Sequence, residues 1–271
     1  MKNVFELTNK NIILLTPLLL YSLFSSVYLA VSTLGGKALM MIFALMLFFV
    51  MTAAFTAGWF YVIKIMVIDS SNELKSILKD FVSGIGEYIL PSLGLLTNVL
   101  LISLLALGIS YKLGMVLIGD VGFSMETLAK AMESTATLKA FISSLSMEEL
   151  TKLSYWNTLL LAVMALVYFV LILYLPAMFF ESKNPFKALF ISTKRLFSKK
   201  FFKTVGIYLL IFIVNFIISL LSAILVGIPV LHFVVTLANF YFITAVSIGI
   251  FYYYYNSFIA NKLGCNIDIE I

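Results

Sequence analysis

The sequence predicts an all-α fold: a polytopic transmembrane bundle of six helices with short amphipathic helices at the membrane interface. Three observations carry that prediction. Six apolar runs fill most of the 271 residues: Ile12–Val31, Leu39–Ile68, Tyr88–Tyr111, Tyr155–Phe180, Thr204–Val226 and Phe233–Phe258. Each reaches or exceeds the roughly 20 residues that cross a bilayer core as a helix. No run carries an ionisable residue near its middle. Finally, 62% of residues are hydrophobic and 11% charged, with a mean hydropathy of +1.10. Soluble domains carry about 25% charged residues. Lipid tails give a charged side chain no solvation, which accounts for the deficit. Residues 112–154 alone are long enough for sizeable extramembrane structure, so residues 1–271 are expected to form a single integral membrane domain.

The elements follow in order. Lys2 and Lys10 before the first run, with Ala30-Val31-Ser32 after it, imitate a signal peptide. The run exceeds the 7–15 residues (roughly) of a signal h-region, however, so a retained first helix is expected. Span two offers Ala53/Ala57 and Ala54/Gly58, small pairs that let helix backbones approach in lipid. Its Lys64, the deepest charge, is expected to snorkel outward. Two connectors then look alike: Asp69-Ser-Ser-Asn-Glu-Leu-Lys-Ser-Ile-Leu78 and Glu181-Ser-Lys-Asn-Pro-Phe-Lys-Ala-Leu-Phe190. Asn72 and Asn184 suit helix N-caps, because the amide oxygen accepts from N–H groups of the first turn. Pro185 falls at the first helical position.

Each connector is expected to start a short amphipathic helix. One carries Leu74, Ile77, Leu78, Phe81, Val82 and Ile85 on a face; the other carries Phe186, Leu189, Phe190, Phe197 and Phe201. Helices of this kind rest in the headgroup layer. The match implies an internal duplication, with spans two and three corresponding to four and five as parallel repeats. In the loop over 112–154, Ser146 and Glu149 have capping-box spacing. Leu138, Phe141, Ile142 and Leu145 give that loop an apolar helical face. Two or three short helices are expected there, forming a packed cap, with a lid as the alternative. Ser219, Ala223 and Gly227 in span five, and Ala245 and Gly249 in span six, are expected packing seams, with the lining of a substrate path as the alternative.

Lys and Arg mark the cytoplasmic side. With the N-terminus inside, that side holds Lys2, Lys10, Lys64, Lys75, Lys79, Lys183, Lys187, Lys194, Arg195, Lys199, Lys200, Lys203 and Lys262. Only Lys37, Lys112, Lys130, Lys139 and Lys152 remain outside, and five acids nearly balance them. A cell-membrane protein with both termini cytoplasmic is expected. Tyr252–Tyr255 and Trp156 fit aromatic girdles at the two boundaries.

Intramembrane charge usually marks proton relays and catalytic centres, and here the mid-span polar residues are neutral: Asn98, Asn215, Asn239, Thr52 and Thr56. They are expected to bond across helices, or else to line a solute path. Glu87 and Glu181 fall at span boundaries; Glu181 is read as a solvated charge. His232 is a lone histidine without metal-ligand partners, read as an interfacial polar residue, and Cys265 a lone thiol read as incidental. No Walker, H-E-x-x-H or G-x-S-x-G pattern occurs. No catalysis, metal or cofactor is expected. Nucleic-acid binding is not expected either, because phenylalanines interleave the basic patch.

The stretch Tyr174-Leu-Pro-Ala-Met-Phe-Phe-Glu-Ser-Lys-Asn-Pro-Phe-Lys-Ala-Leu189, with Ser192 before a basic helix, resembles the membrane domain of some glycerophosphodiester phosphodiesterases and related six-span prokaryotic membrane proteins. The resemblance implies a helical bundle with a lipid-related role. It does not imply phosphodiesterase activity, for no such catalytic domain is present. The expected function is a non-enzymatic membrane protein that binds or organises lipid, or forms the membrane subunit of a complex with a membrane or cytosolic protein. A permease for a neutral or lipidic solute is the alternative. Lys187, Lys194, Arg195, Lys199, Lys200 and Lys203 are the candidate contacts to anionic lipid or a partner. Reversing Lys194, Arg195, Lys199, Lys200 and Lys203 to Glu is expected to misorient or destabilise spans four and five. A C-terminal topology reporter with unchanged orientation and yield would count against the charge argument.

Overall fold

The computed structural model describes residues 2–32, 38–69, 77–131 and 134–260, and the regular structure in them is entirely helical. The order is α1 (Lys2–Lys10), a 3-10 turn (Ile12–Leu14), α2 (Leu15–Ser32), α3 (Ala38–Ile68), α4 (Ile77–Leu117), α5 (Met125–Ala131) and α6 (Thr135–Ser144). Then come α7 (Met147–Leu171), α8 (Tyr174–Phe180), α9 (Pro185–Leu196), α10 (Phe201–Leu225), α11 (Pro229–Tyr254) and a π-helical turn (Tyr255–Ile259). Among the described residues five helical stretches are long and apolar enough to cross a membrane. A sixth arises if the pair Val4–Lys10 and Ile12–Tyr28, bent by 77°, counts as one. The outward faces are apolar: Leu23, Phe24, Phe43, Leu45, Met46, Leu105 and Phe216 are all exposed. Contiguous apolar surface on this scale is what a lipid solvent matches and water does not.

Proline explains where the helices break. A proline ring collides with the carbonyl four residues earlier and removes one N–H donor. Pro17 therefore acts on Ile13, where the chain is a 3-10 turn, and Pro176 on Ile172, where α7 gives way to α8. Pro185 and Pro229 occupy first turns. Pro91 is the exception, lying inside a continuous α4.

The chain divides into two compact units, residues 1–98 with 170–271, and residues 99–169. In the first, α2 runs antiparallel to α3. Tyr21 and Thr52 share a hydrogen bond of 2.8 Å, Tyr21 stacks on Phe55, and Trp59 Nε1 donates to the Leu14 carbonyl at 3.1 Å. The small-residue seam of span two is borne out: Ala53 and Ala57 are fully buried, and Gly58 lies against the Phe81 ring. Its partner on α4 is Gly84, where a Cβ would lie 2.5 Å from Tyr61 Cβ and 2.9 Å from the Ala57 carbonyl. The helix α1 packs on α11, with Tyr241 Oη donating to Asn9 Oδ1 at 2.6 Å. Ala245 is buried in α11, and a Cβ on Gly249 would sit 3.5 Å from Val4. The span-five seam is not borne out: Ser219, Ala223 and Gly227 are exposed.

In the second unit Trp156 packs its ring on Gly114 and donates Nε1–H to the Gly119 carbonyl at 3.1 Å. Gly119 (φ +84°) and Gly122 (φ +89°) turn the chain after α4 in the left-handed region that glycine tolerates. Both expected features of this segment are present. Two short helices, α5 and α6, form, and Glu149 Oε2 accepts from the Ser146 backbone at 2.8 Å while Ser146 Oγ caps the Glu149 N–H. That box starts α7 at Met147, upstream of the apolar run.

The two connectors diverge. The first lies largely outside the described residues, as do Lys37, Lys75, Lys262 and Cys265, and it leads into one unbroken α4 rather than a short helix followed by a span. Nothing between Leu78 and Tyr88 stops a helix. The second connector gives a separate α9, ended by turns over residues 197–200. Substitution Gly84→Val is expected to force α3 and α4 apart and lower stability by about 1–3 kcal/mol. Gly86→Ala, which meets nothing within 4 Å, should raise stability slightly. Thermal unfolding of both variants in one detergent checks the pair.

Candidate functional site

Helices α8, α9 and the end of α11 meet at the basic end of the first unit. Asn184 opens α9 as expected, its Oδ1 accepting from the Lys187 N–H at 3.1 Å. The inward face of α9 is Ala188, Ser192 and Leu196, all fully buried at four-residue spacing. That face packs on α8, where Tyr174 Oη donates to the Pro185 carbonyl at 3.0 Å and accepts from Asn98 Nδ2 at 2.9 Å. On α4, a Cβ on Gly94 would meet the Pro185 ring at 2.5 Å. With the small face inward, helical geometry turns Phe186, Phe190 and Phe197 outward as one stripe, each at least 65% exposed. Lys187 and Lys194, seven residues apart, run as a parallel row beside it and are also exposed.

Glu181 fastens this arrangement. Arg195 Nε and Nη2 donate to its two oxygens at 3.1 and 2.9 Å, and Tyr254 Oη donates to Oε1 at 2.5 Å. The carboxylate is 13% exposed and the guanidinium 25%. The bidentate bond to Glu181 holds the Arg195 guanidinium above its ordinary range, so the arginine stays charged wherever the protein is folded. The reading of Glu181 as a solvated boundary charge is thereby corrected: Arg195, two turns into α9, reaches back to cover it.

A second charge cluster lies on α4. Lys183 bridges Glu87 at 2.9 Å, and Lys64 Nζ donates to Tyr88 Oη at 2.9 Å. Tyr88 in turn donates to the Phe179 carbonyl at 3.3 Å. Both ammonium groups lie 5.2 Å from the Tyr88 ring centre, within cation–π reach. Lys64 therefore turns toward this tyrosine rather than snorkelling away. Between the clusters, Phe60, Phe179 and Phe251 form a core in which Tyr88 stacks on Phe179 at 4.4 Å.

The six candidate contact residues thus separate. Arg195 is consumed by Glu181. Lys200 turns inward, donating to the Ser257 carbonyl at 3.1 Å and lying 5.8 Å from the Phe258 ring. Burial, then Lys203, pushes the Lys200 ammonium below its ordinary range. Lys187, Lys194, Lys199 and Lys203 remain exposed. Tyr253 and Tyr254, expected in an aromatic girdle, are instead buried, and Tyr254 is bonded to Glu181. The role of Tyr88 and the pairing of Glu181 were not expected, although an acid and an arginine flanking a capped helix were visible. Among the described residues no three His, Cys, Asp or Glu side chains gather as a metal site would require. Comparison with protein-family models, characterised proteins and solved structures gives no match.

Glu181→Gln or Arg195→Met, each leaving a partly buried partner, is expected to cost roughly 3 kcal/mol. The double change Glu181→Gln with Arg195→Met should recover most of the loss. The check is a double-mutant cycle of unfolding midpoints in detergent; additive losses would refute the coupling.

Proposed function

We propose that this is a non-enzymatic integral membrane protein whose basic end engages anionic lipid at the cytoplasmic face of a cell membrane. One observation carries the reading: α9 is clamped so that a phenylalanine stripe and a lysine row face outward together. Rings at acyl depth beside ammonium groups at phosphate depth fit an anionic headgroup layer. The charge asymmetry of the sequence supports the same orientation. The non-catalytic part is supported by the acids at this end, since Glu87 and Glu181 are each neutralised by a cation. Passage of a neutral solute is the second reading: Asn98 and Thr52 are used in bonds between helices, which speaks against it, whereas Asn239 lines a cleft between α10 and α11, which speaks for it.

The test is native mass spectrometry of the full chain from mild detergent. Wild type should retain phosphatidylglycerol over phosphatidylcholine. Lys187→Gln with Lys194→Gln and Lys199→Gln should lose that preference, at about 1 kcal/mol per lysine. Equal retention of both lipids by wild type would end the proposal.

A further inference from the structure

A cleft of about 590 Å³ opens between α10 and α11, near the turn that joins them. Polar residues stand on both walls among Ile218, Ala223, Val226 and Val235, although both helices are otherwise among the most apolar in the chain. Ser219 and Ser222 come from α10, and His232, Thr236 and Asn239 from one face of α11. Thr236 Oγ1 donates to the His232 carbonyl at 2.9 Å, which leaves the hydroxyl oxygen able to accept. His232 Nδ1 is shut off from solvent and has no hydrogen-bond partner in the protein. A buried ring nitrogen left unpaired costs about 1–3 kcal/mol. With no surface open to the cleft it is not itself a ligand contact, so the hydroxyls and the amide of the lining carry the recognition. Volume, too, lies in the range of roughly 300–1,000 Å³ typical of small-molecule sites.

We infer that this cleft binds an uncharged polyhydroxyl group. The lining polar groups are hydroxyls, an amide and an imidazole, with no carboxylate, lysine or arginine. No formal charge on the ligand is therefore called for. Serine, threonine and asparagine each both donate and accept. The matching ligand group does the same at several points, which a sugar or glycerol moiety does and a carbonyl or amine alone does not. Ile224 and Phe233, flanking the cleft, are more than 60% exposed and offer apolar surface to acyl chains. The polyhydroxyl group is either the head of a glycolipid or a free polyol. This inference stands apart from the α9 reading, which concerns other residues and an anionic headgroup.

The experiment uses the full chain in mild detergent, with monoglucosyl diacylglycerol and free glucose as probes. Native mass spectrometry reads lipid retention, and the thermal midpoint reads both probes. Asn239→Leu with Ser222→Val is expected to weaken binding about tenfold, the worth of one hydrogen bond. Ser219→Trp, at an exposed position, fills the cleft from its edge and should do the same without touching buried packing. Phosphatidylglycerol retention at α9 should not change in either variant. Glycolipid retention by wild type supports a lipid source; a midpoint shift with free glucose that the variants lack supports a soluble one. Neither probe binding, or equal binding by wild type and Ser219→Trp, overturns the assignment.

Discussion

Taking a carboxylate out of water costs several kcal/mol, and three donors meet Glu181 to offset it. Two come from one guanidinium, whose planar fork matches the two carboxylate oxygens. The third is the hydroxyl of Tyr254, the last residue of α11. Three elements are thereby tied to a single group. Once Arg195 is turned toward Glu181, the rotation of α9 about its own axis is settled. Ala188, Ser192 and Leu196 then face the bundle, and the phenylalanines and lysines have only the outside to occupy. The outward chemistry of the basic end is thus a consequence of an inward ion pair.

The second constraint is that backbone N–H and C=O groups in a lipid-facing chain need partners within the protein. The break between α1 and α2 meets it locally. Asn11 N–H reaches the Leu7 and Thr8 carbonyls, Asn11 Nδ2 donates again to Leu7, and Trp59 covers the Leu14 carbonyl from α3. Thr8 and Asn11 are buried although polar, because their bonds stay within this corner. A sharp bend is tolerable here since these freed groups find partners in side chains and turns already present.

The long apolar runs made the helices legible, and the Asn184-Pro185 cap and the Ser146–Glu149 box placed two starts correctly. Ala53 and Ala57 announced a seam, because small residues at one-turn spacing leave room for little except another backbone. Four features were not legible, each for a physical reason. The continuity of α4 depends on Gly84 lying against α3, and spacing alone does not separate a seam glycine from a helix-weakening one. The inward turn of Lys64 depends on Tyr88, a neighbour that only tertiary structure supplies. For the basic cluster, a charge pattern reports which residues are cationic but not which one finds a buried acid. Ser219 and Ala223 had the composition of a seam, yet on α10 that face borders the cleft.

Polar groups are treated differently at two places along α11. Near its end, Tyr253 shares a hydrogen bond of 2.8 Å with Thr204, and Tyr254 serves Glu181. Near its start, His232 Nδ1 is shut away without a partner. Ser25, Tyr28 and Ser92 are also unpaired, and a serine hydroxyl can swing to a carbonyl of its own helix, so the two serines have a local remedy. The ring groups of Tyr28 and His232 have fewer positions to choose from. Around the cleft beside His232 stand hydroxyls and an amide from two helices, with Ile218, Ala223, Val226 and Val235 between them. Tyr253 and Tyr254 are bonded to side chains of neighbouring elements. The polar groups around the cleft border open volume instead, and that difference separates a site from a seam.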